Sequence, residues 1–180
     1  PHAHMAFISI PISGDLQHEK SMGNKTVIRE GEIQVMSAGT GIFHSEYNAN
    51  KVQAVEFLQI WIFPRSQDIP PRYDQTELND LHLANTLHQV LSPNPSDQGV
   101  WIHQDAWFHI GTFDEGIETV YPIKKEGNGI YAFVLEGSFD INGQRLEKRD
   151  ALGIWETLEL SIRSLDLNSR LLLIDVPMAF

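Results

Sequence analysis

The stretch Gly31-Glu-Ile-Gln-Val-Met-Ser-Ala-Gly39-Thr-Gly-Ile-Phe-His44-Ser-Glu46-Tyr-Asn48 decides how this chain is read. A short apolar run ends in glycines, and the glycines feed a second short segment carrying an imidazole and a carboxylate. In an extended segment side chains two apart share a face, so His44 and Glu46 project together. An imidazole and a carboxylate on one face can share a divalent metal, and a further His on a neighbouring strand would complete the ligand set. The glycines before His44 suit a tight bend that leads this strand into a cavity. Pro1-His2-Ala-His4 offers the other candidate imidazoles.

Outward from that stretch, strand patterns dominate. Phe7–Ile12, Ile33–Met36, Val55–Phe63, Val100–His103, Ile130–Leu135 and Leu171–Val176 are short and rich in β-branched and aromatic residues. Gly, Asn, Asp or Pro separates them, the pattern of an all-β sandwich or barrel. Asn142-Gly143 predicts a type I′ hairpin turn, and Met22-Gly23-Asn24 predicts another turn. The one expected helix is short, near Leu78–Thr86, or a turn or two around it, with Asp74 or Asn79 as its cap. Five of the nine prolines fall between Pro64 and Gln98, which marks that region as a crossover between two β halves. The halves resemble each other: Ile8–Leu16 and Tyr131–Phe139 each run a buried strand through a glycine, Gly14 or Gly137, into a new strand.

Composition narrows the function classes. The 180 residues suffice for a sizeable core, and 13 Lys+Arg against 24 Asp+Glu give a net charge of −11. So acidic a surface repels phosphate backbones, so direct nucleic-acid binding is not expected. With no cysteine, disulfides, thiolate metal sites and a Cys nucleophile are excluded. No apolar run approaches transmembrane length and no signal peptide is visible, so a cytoplasmic protein without membrane contact is the default expectation.

The metal motif carries a family resemblance. Gly31, five residues, Ser37-Ala-Gly39, a gap, His44, three residues and Asn48 match the second motif of the cupin superfamily, with Ser in place of Pro. The run Asp15–Asn24 together with Gly31–Glu46 resembles the pirin family, including its bacterial quercetin 2,3-dioxygenase-like members. Gln59-Ile-Trp61-Ile and Pro71-Arg72-Tyr73 extend the likeness. The resemblance implies two tandem jelly-roll (cupin) β-barrels, a bicupin: a metal-binding barrel over 1–66, a crossover over 67–98 and a metal-free barrel over 99–180. It also implies one metal held by three His and one Glu, with His44 and Glu46 as the His-x-Glu pair. The family's His-Pro-His lies twelve residues before a strand-ending Gly. Gly14 therefore makes His2 the second imidazole and puts the first ahead of Pro1, so the chain is expected to be N-terminally incomplete.

Two departures stand out. Ala6 replaces a Glu that many relatives carry, and His4 occupies a variable position, read as a pocket-edge side chain with a substitute ligand as the alternative. Imidazole and carboxylate donors suit Fe(II), Mn(II), Ni(II), Co(II), Cu(II) or Zn(II), and the resemblance favours iron. It further implies a small aromatic substrate and dioxygen: a flavonol hydroxyl on the metal, Glu46 as ligand and base, and cleavage of the central ring. The alternative is a non-enzymatic, metal-dependent, redox-responsive regulator that binds a protein partner.

The remaining histidines receive plainer readings. His18, His82, His88, His103 and His109 are scattered, without an evident carboxylate partner, and His103 and His109 are expected to be hydrogen-bonded sheet residues. Trp61, Trp101, Trp107 and Trp155 are expected to pack in the core or between barrels.

Overall fold

The computed structural model describes residues 5–20, 25–39, 44–66 and 69–179. Strand accounts for 57% of it and helix for 2%, so the all-β expectation holds. In chain order the strands are β1 (Ala6–Ser13), β2 (Leu16–Lys20), β3 (Lys25–Ile28), β4 (Glu32–Ser37), β5 (His44–Asn48), β6 (Glu56–Ile62), β7 (Arg72–Glu77), β8 (His88–Ser92) and β9 (Val100–Trp101). There follow β10 (Trp107–Phe113), β11 (Glu118–Pro122), β12 (Asn128–Glu136), β13 (Phe139–Ile141), β14 (Gln144–Leu146), β15 (Ala151–Ile154), β16 (Glu159–Ser164) and β17 (Ser169–Pro177). No helix among the described residues is long and apolar enough to cross a membrane.

Two compact units emerge. The first takes the chain through Asn79 and then Pro93–Gln104; the second takes Asp80–Ser92 and everything from Asp105. The proline-rich region thus supplies β7 to the first unit and β8 to the second. Where a helix was expected near Leu78–Thr86, only a single 3₁₀ turn forms, Asn79–His82. Asn85 enters the left-handed region at φ 65°, which ends any helical path. Asp74, one of the two expected caps, lies instead on β7 and pairs with Arg72 at 2.8 Å.

In the first unit a sheet of order β6-β1-β4-β7 faces a three-stranded sheet of order β3-β2-β5. β1 is buried from Ala6 to Pro11 without alternation, as a strand covered on both faces must be. Across the four-stranded sheet, cross-strand partners form lateral rows on a shared face. One row reads Trp61, Phe7, Met36, Tyr73; the next on the same face reads Gln59, Ser9, Gln34, Gln75. β1 hands over to β2 through Gly14, at φ 72°, where a Cβ would lie 2.6 Å from the Ala54 carbonyl oxygen.

In the second unit β15-β12-β17-β10-β8 faces β11-β16-β13-β14. β16 shows the half-buried alternation: Leu160, Ile162 and Ser164 point in, while Glu159, Ser161 and Arg163 point out. The core gathers Phe113, Tyr121, Ile130, Val134, Phe139, Ile162 and Leu171 among others. The expected hairpin is present, with Asn142 at φ 50° and Gly143 at φ 82° joining β13 to β14. Both central residues have positive φ, as a type I′ turn requires. Gly137, at φ 68°, turns β12 toward β13 as Gly14 turns β1 into β2.

Two of the four tryptophans depart from expectation. Trp61 and Trp155 are 49% and 58% exposed, so neither is a core residue.

Candidate metal centre

The centre is built on the pairing of β2 with β5. In that ladder His18 stands directly opposite Glu46, and Lys20 opposite His44. Directly opposed residues share a face, and so do residues two apart on one strand. The register therefore brings His18, His44 and Glu46 together on one face. Each offers a donor atom within 4.8 Å of the others, and no second such group of His, Asp and Glu occurs among the described residues. The His18 and His44 rings lie 5.1 Å apart, centroid to centroid.

This corrects the reading of His18 as a scattered residue without a carboxylate partner. Its partner, Glu46, is remote in sequence but adjacent in the ladder, and only the strand register reveals it. The expected convergence of His44 and Glu46 is present. His2, the third expected ligand, and His4 lie outside the described residues, as does the expected turn at 22–24. Ala6 is fully buried on β1, paired with Ser37 and Ile62. Gly39 approaches the motif at φ 53°, with a Cβ excluded by the Ile69 carbonyl oxygen 2.7 Å away.

The facing sheet holds the group in place. Gln59 Nε2 donates to Glu46 Oε1 at 2.7 Å, and Ser9 Oγ donates to the same oxygen at 3.4 Å. Trp61 Nε1–H donates to Gln59 Oε1 at 3.1 Å, which fixes the amide with its NH₂ toward the carboxylate. Phe7 packs against His44, with ring centroids 5.4 Å apart, and Tyr73 meets His18 edge-on at 6.3 Å. The Tyr73 hydroxyl is tied in turn to Gln75 at 2.6 Å and Thr26 at 3.0 Å. None of Ser9, Gln59 and Trp61 was assigned to the site from sequence. Strand alternation alone places Gln59 and Trp61 on one face, but not which face points at Glu46.

Burial pushes the Glu46 carboxyl above its ordinary value, against the hydrogen bonds from Gln59 and Ser9 that pull it down. A half-buried carboxylate beside two imidazoles is stabilised by a cation. Nitrogen and oxygen ligands sit about 2.0–2.2 Å from a transition metal, so donors around one ion are at most about 4.4 Å apart. The donor set fits a divalent ion of the imidazole-and-carboxylate class.

The other histidines lie elsewhere. His103 falls just past β9, its ring edge-on to Trp101 at 4.7 Å, while the expected strand over Val100–His103 stops at Trp101. His109 is on β10 in the second unit, 5% exposed, beside the Tyr121 ring at 5.0 Å. Its Nδ1 is buried and has no hydrogen-bond partner among the described residues. Burial, with Lys124 nearby, pushes the His109 imidazole down to about 4, so it is neutral at pH 7. Its surroundings include Asp175, fully buried, which accepts from Tyr121 Oη at 2.8 Å, the Lys124 amide at 2.9 Å and Asn128 Nδ2 at 2.7 Å. That cluster satisfies its own carboxylate and is structural.

Known proteins resemble this chain along nearly its whole length. The family model described as Pirin matches residues 1–62, and the one described as Quercetinase C-terminal cupin domain matches residues 89–176. A quercetin 2,3-dioxygenase of Escherichia coli strain K12 is 36% identical over 177 residues, covering 98% of this chain and 74% of that protein. A pirin-like protein of Caulobacter vibrioides is 31% identical over 176 residues, covering 97% and 75%. Among solved structures, YhhW from Escherichia coli is similar at a TM-score of 0.90 and 34% identity, over 99% of this chain and 74% of that one. A bacterial pirin YhhW in complex with nickel(II), also from Escherichia coli, gives a TM-score of 0.89 over 99% and 75%.

Proposed function

The chain belongs to the pirin family, and from that premise we propose that it is a metal-dependent dioxygenase acting on flavonol-type aromatic substrates. The observation that carries the reading is the cross-strand convergence of His44 and Glu46, with a second imidazole, His18, buried beside them in the first barrel. The nickel(II) complex of YhhW and the quercetin 2,3-dioxygenase name of the Escherichia coli relative support a divalent ion and this substrate class.

In this proposal His44 and Glu46 hold the ion together with His2. His18 is 1% exposed and enclosed between His44 and Tyr73, so we assign it to a place beside the ion rather than to its open side. When bound there, a divalent ion would supply a Lewis acid that lowers the pKa of a substrate hydroxyl. Glu46 takes the hydroxyl proton. Its Oε1 is held by Gln59 and Ser9, which directs proton transfer to Oε2. Phe7 and Trp61 supply an apolar wall on the same side, limiting water around the reacting ring.

The test is oxygen uptake with a flavonol, normalised to bound metal. Glu46→Gln keeps an oxygen donor and the volume but loses the base. It should retain part of the metal and lose about 10²–10⁴-fold of the flavonol-dependent rate. A variant as fast per metal as the wild type removes Glu46 as base. A metal-loaded wild type that consumes no oxygen with any flavonol refutes the dioxygenase and favours a non-enzymatic, partner-binding role.

A further inference from the structure

Trp61 is fixed at two points and exposed at a third. Its ring meets Phe7 edge-on, with centroids 5.3 Å apart, and its Nε1–H is committed to Gln59. Yet 49% of the residue remains exposed. An ordinary surface tryptophan is free to reorient. This one is clamped by the same amide that holds Glu46, one hydrogen-bond relay from the candidate ligand.

The two lateral rows of the sheet explain what such a fixed ring can do. Trp61 begins an apolar row that continues through Phe7, Met36 and Tyr73, and the adjacent row on that face is polar: Gln59, Ser9, Gln34 and Gln75. Phe7, Met36, Ser9 and Gln34 are buried, so it is Trp61, at the exposed end of the apolar row and beside Gln59 of the polar row, that can meet a flat aromatic system edged with oxygen atoms. Aromatic faces pay little entropy when already immobilised, and ring pairs gain from offset or edge-on contact beyond simple burial.

We propose that Trp61 is the platform on which the extended aromatic part of the substrate packs while its hydroxy-ketone end reaches the metal group. This rests on the flavonol reading above. It assigns to Trp61 a substrate-binding role that neither the metal motif nor the ligand set requires.

The test uses two probes under nitrogen, with metal-loaded protein, so that binding is read by absorbance without turnover. One probe is 3-hydroxyflavone. The other is 3-hydroxy-2-methyl-4-pyranone, which carries the same hydroxy-ketone pair on a single small ring. Trp61→Leu should weaken 3-hydroxyflavone about tenfold and leave the pyranone within about twofold. Trp61→Phe loses the Nε1–H bond but keeps an aromatic face, and should stay within about threefold for both. Metal content is measured alongside.

Equal hydroxyflavone affinity in wild type and Trp61→Leu overturns the platform and leaves the flavonol reading standing. Equal loss of both probes in Trp61→Leu also overturns it, because the defect then lies in the metal group. A wild type that binds the pyranone but not hydroxyflavone, or neither, overturns the flavonol reading and the platform with it.

Discussion

Replacing Gln59 with Leu removes the shortest hydrogen bond to Glu46 while keeping a side chain of similar bulk. Gln59 Nε2 lies 2.7 Å from Glu46 Oε1, in a partly buried setting, whereas Ser9 Oγ at 3.4 Å is a much weaker donor. A hydrogen bond to a charged group contributes about 1.5–3 kcal/mol. At about 1.4 kcal/mol per decade, its loss should weaken metal binding roughly 10–150-fold. That range matches the usual cost of removing a partner that orients a metal ligand. The substitution also strands the Trp61 indole N–H, but Trp61 is half-exposed and water can replace its acceptor. Losing the bond to Glu46, which is present without metal, should lower apo stability as well. The assay is a chelator competition at pH 7.5, with thermal unfolding of the apo protein as a control for folding. An affinity within twofold of wild type, in a variant that folds normally, would refute the account of how Glu46 is held.

Three other outcomes are expected. His18→Ala should weaken metal binding about 10–100-fold rather than abolish it, since His18 is assigned to a place beside the ion; loss as complete as in His44→Ala, by elemental analysis, would make His18 a ligand. Burial raises the Glu46 carboxyl, so its contribution to apo stability is present below the ordinary value of 4.5 and is lost as pH rises through the raised one. Apo Glu46→Gln should therefore melt higher than apo wild type at pH 7 and not at pH 4; no pH dependence in that difference would refute the sign. Tyr121→Phe takes one donor from the buried Asp175 carboxylate and should destabilise the protein by about 1.5–3 kcal/mol, read by urea unfolding; unchanged stability would mean that Asp175 is satisfied without it.

The fold was largely legible in the chain because its strands carry local signals. Apolar runs such as Leu171–Val176 became β17, and Asn142-Gly143 dictates a I′ turn through two positive φ angles that few other residue pairs tolerate. The helical signal near Leu78–Thr86 yields one 3₁₀ turn and no more, because a few residues without an apolar stripe cannot offset the cost of nucleation. At the site, His44 and Glu46 were legible because they are two apart on one strand, a relation visible without tertiary structure. His18 was not, since its alignment with Glu46 depends on the β2–β5 register. Gln59 was missed for the same reason: its hydrogen bond comes from the opposite sheet of the barrel. Trp61 and Trp155 show the limit of composition, which says that a large aromatic is worth burying but not whether the fold finds room for it.

The most direct test of the metal centre is the metal content of wild type, His44→Ala and His103→Ala, purified identically and measured by inductively coupled plasma mass spectrometry. His103 lies just past β9, outside the His18, His44 and Glu46 group, so it serves as the control for a histidine away from the site. The account predicts close to one divalent ion per chain in wild type and His103→Ala, and loss of most of it in His44→Ala. Equal metal in His44→Ala and wild type would contradict it.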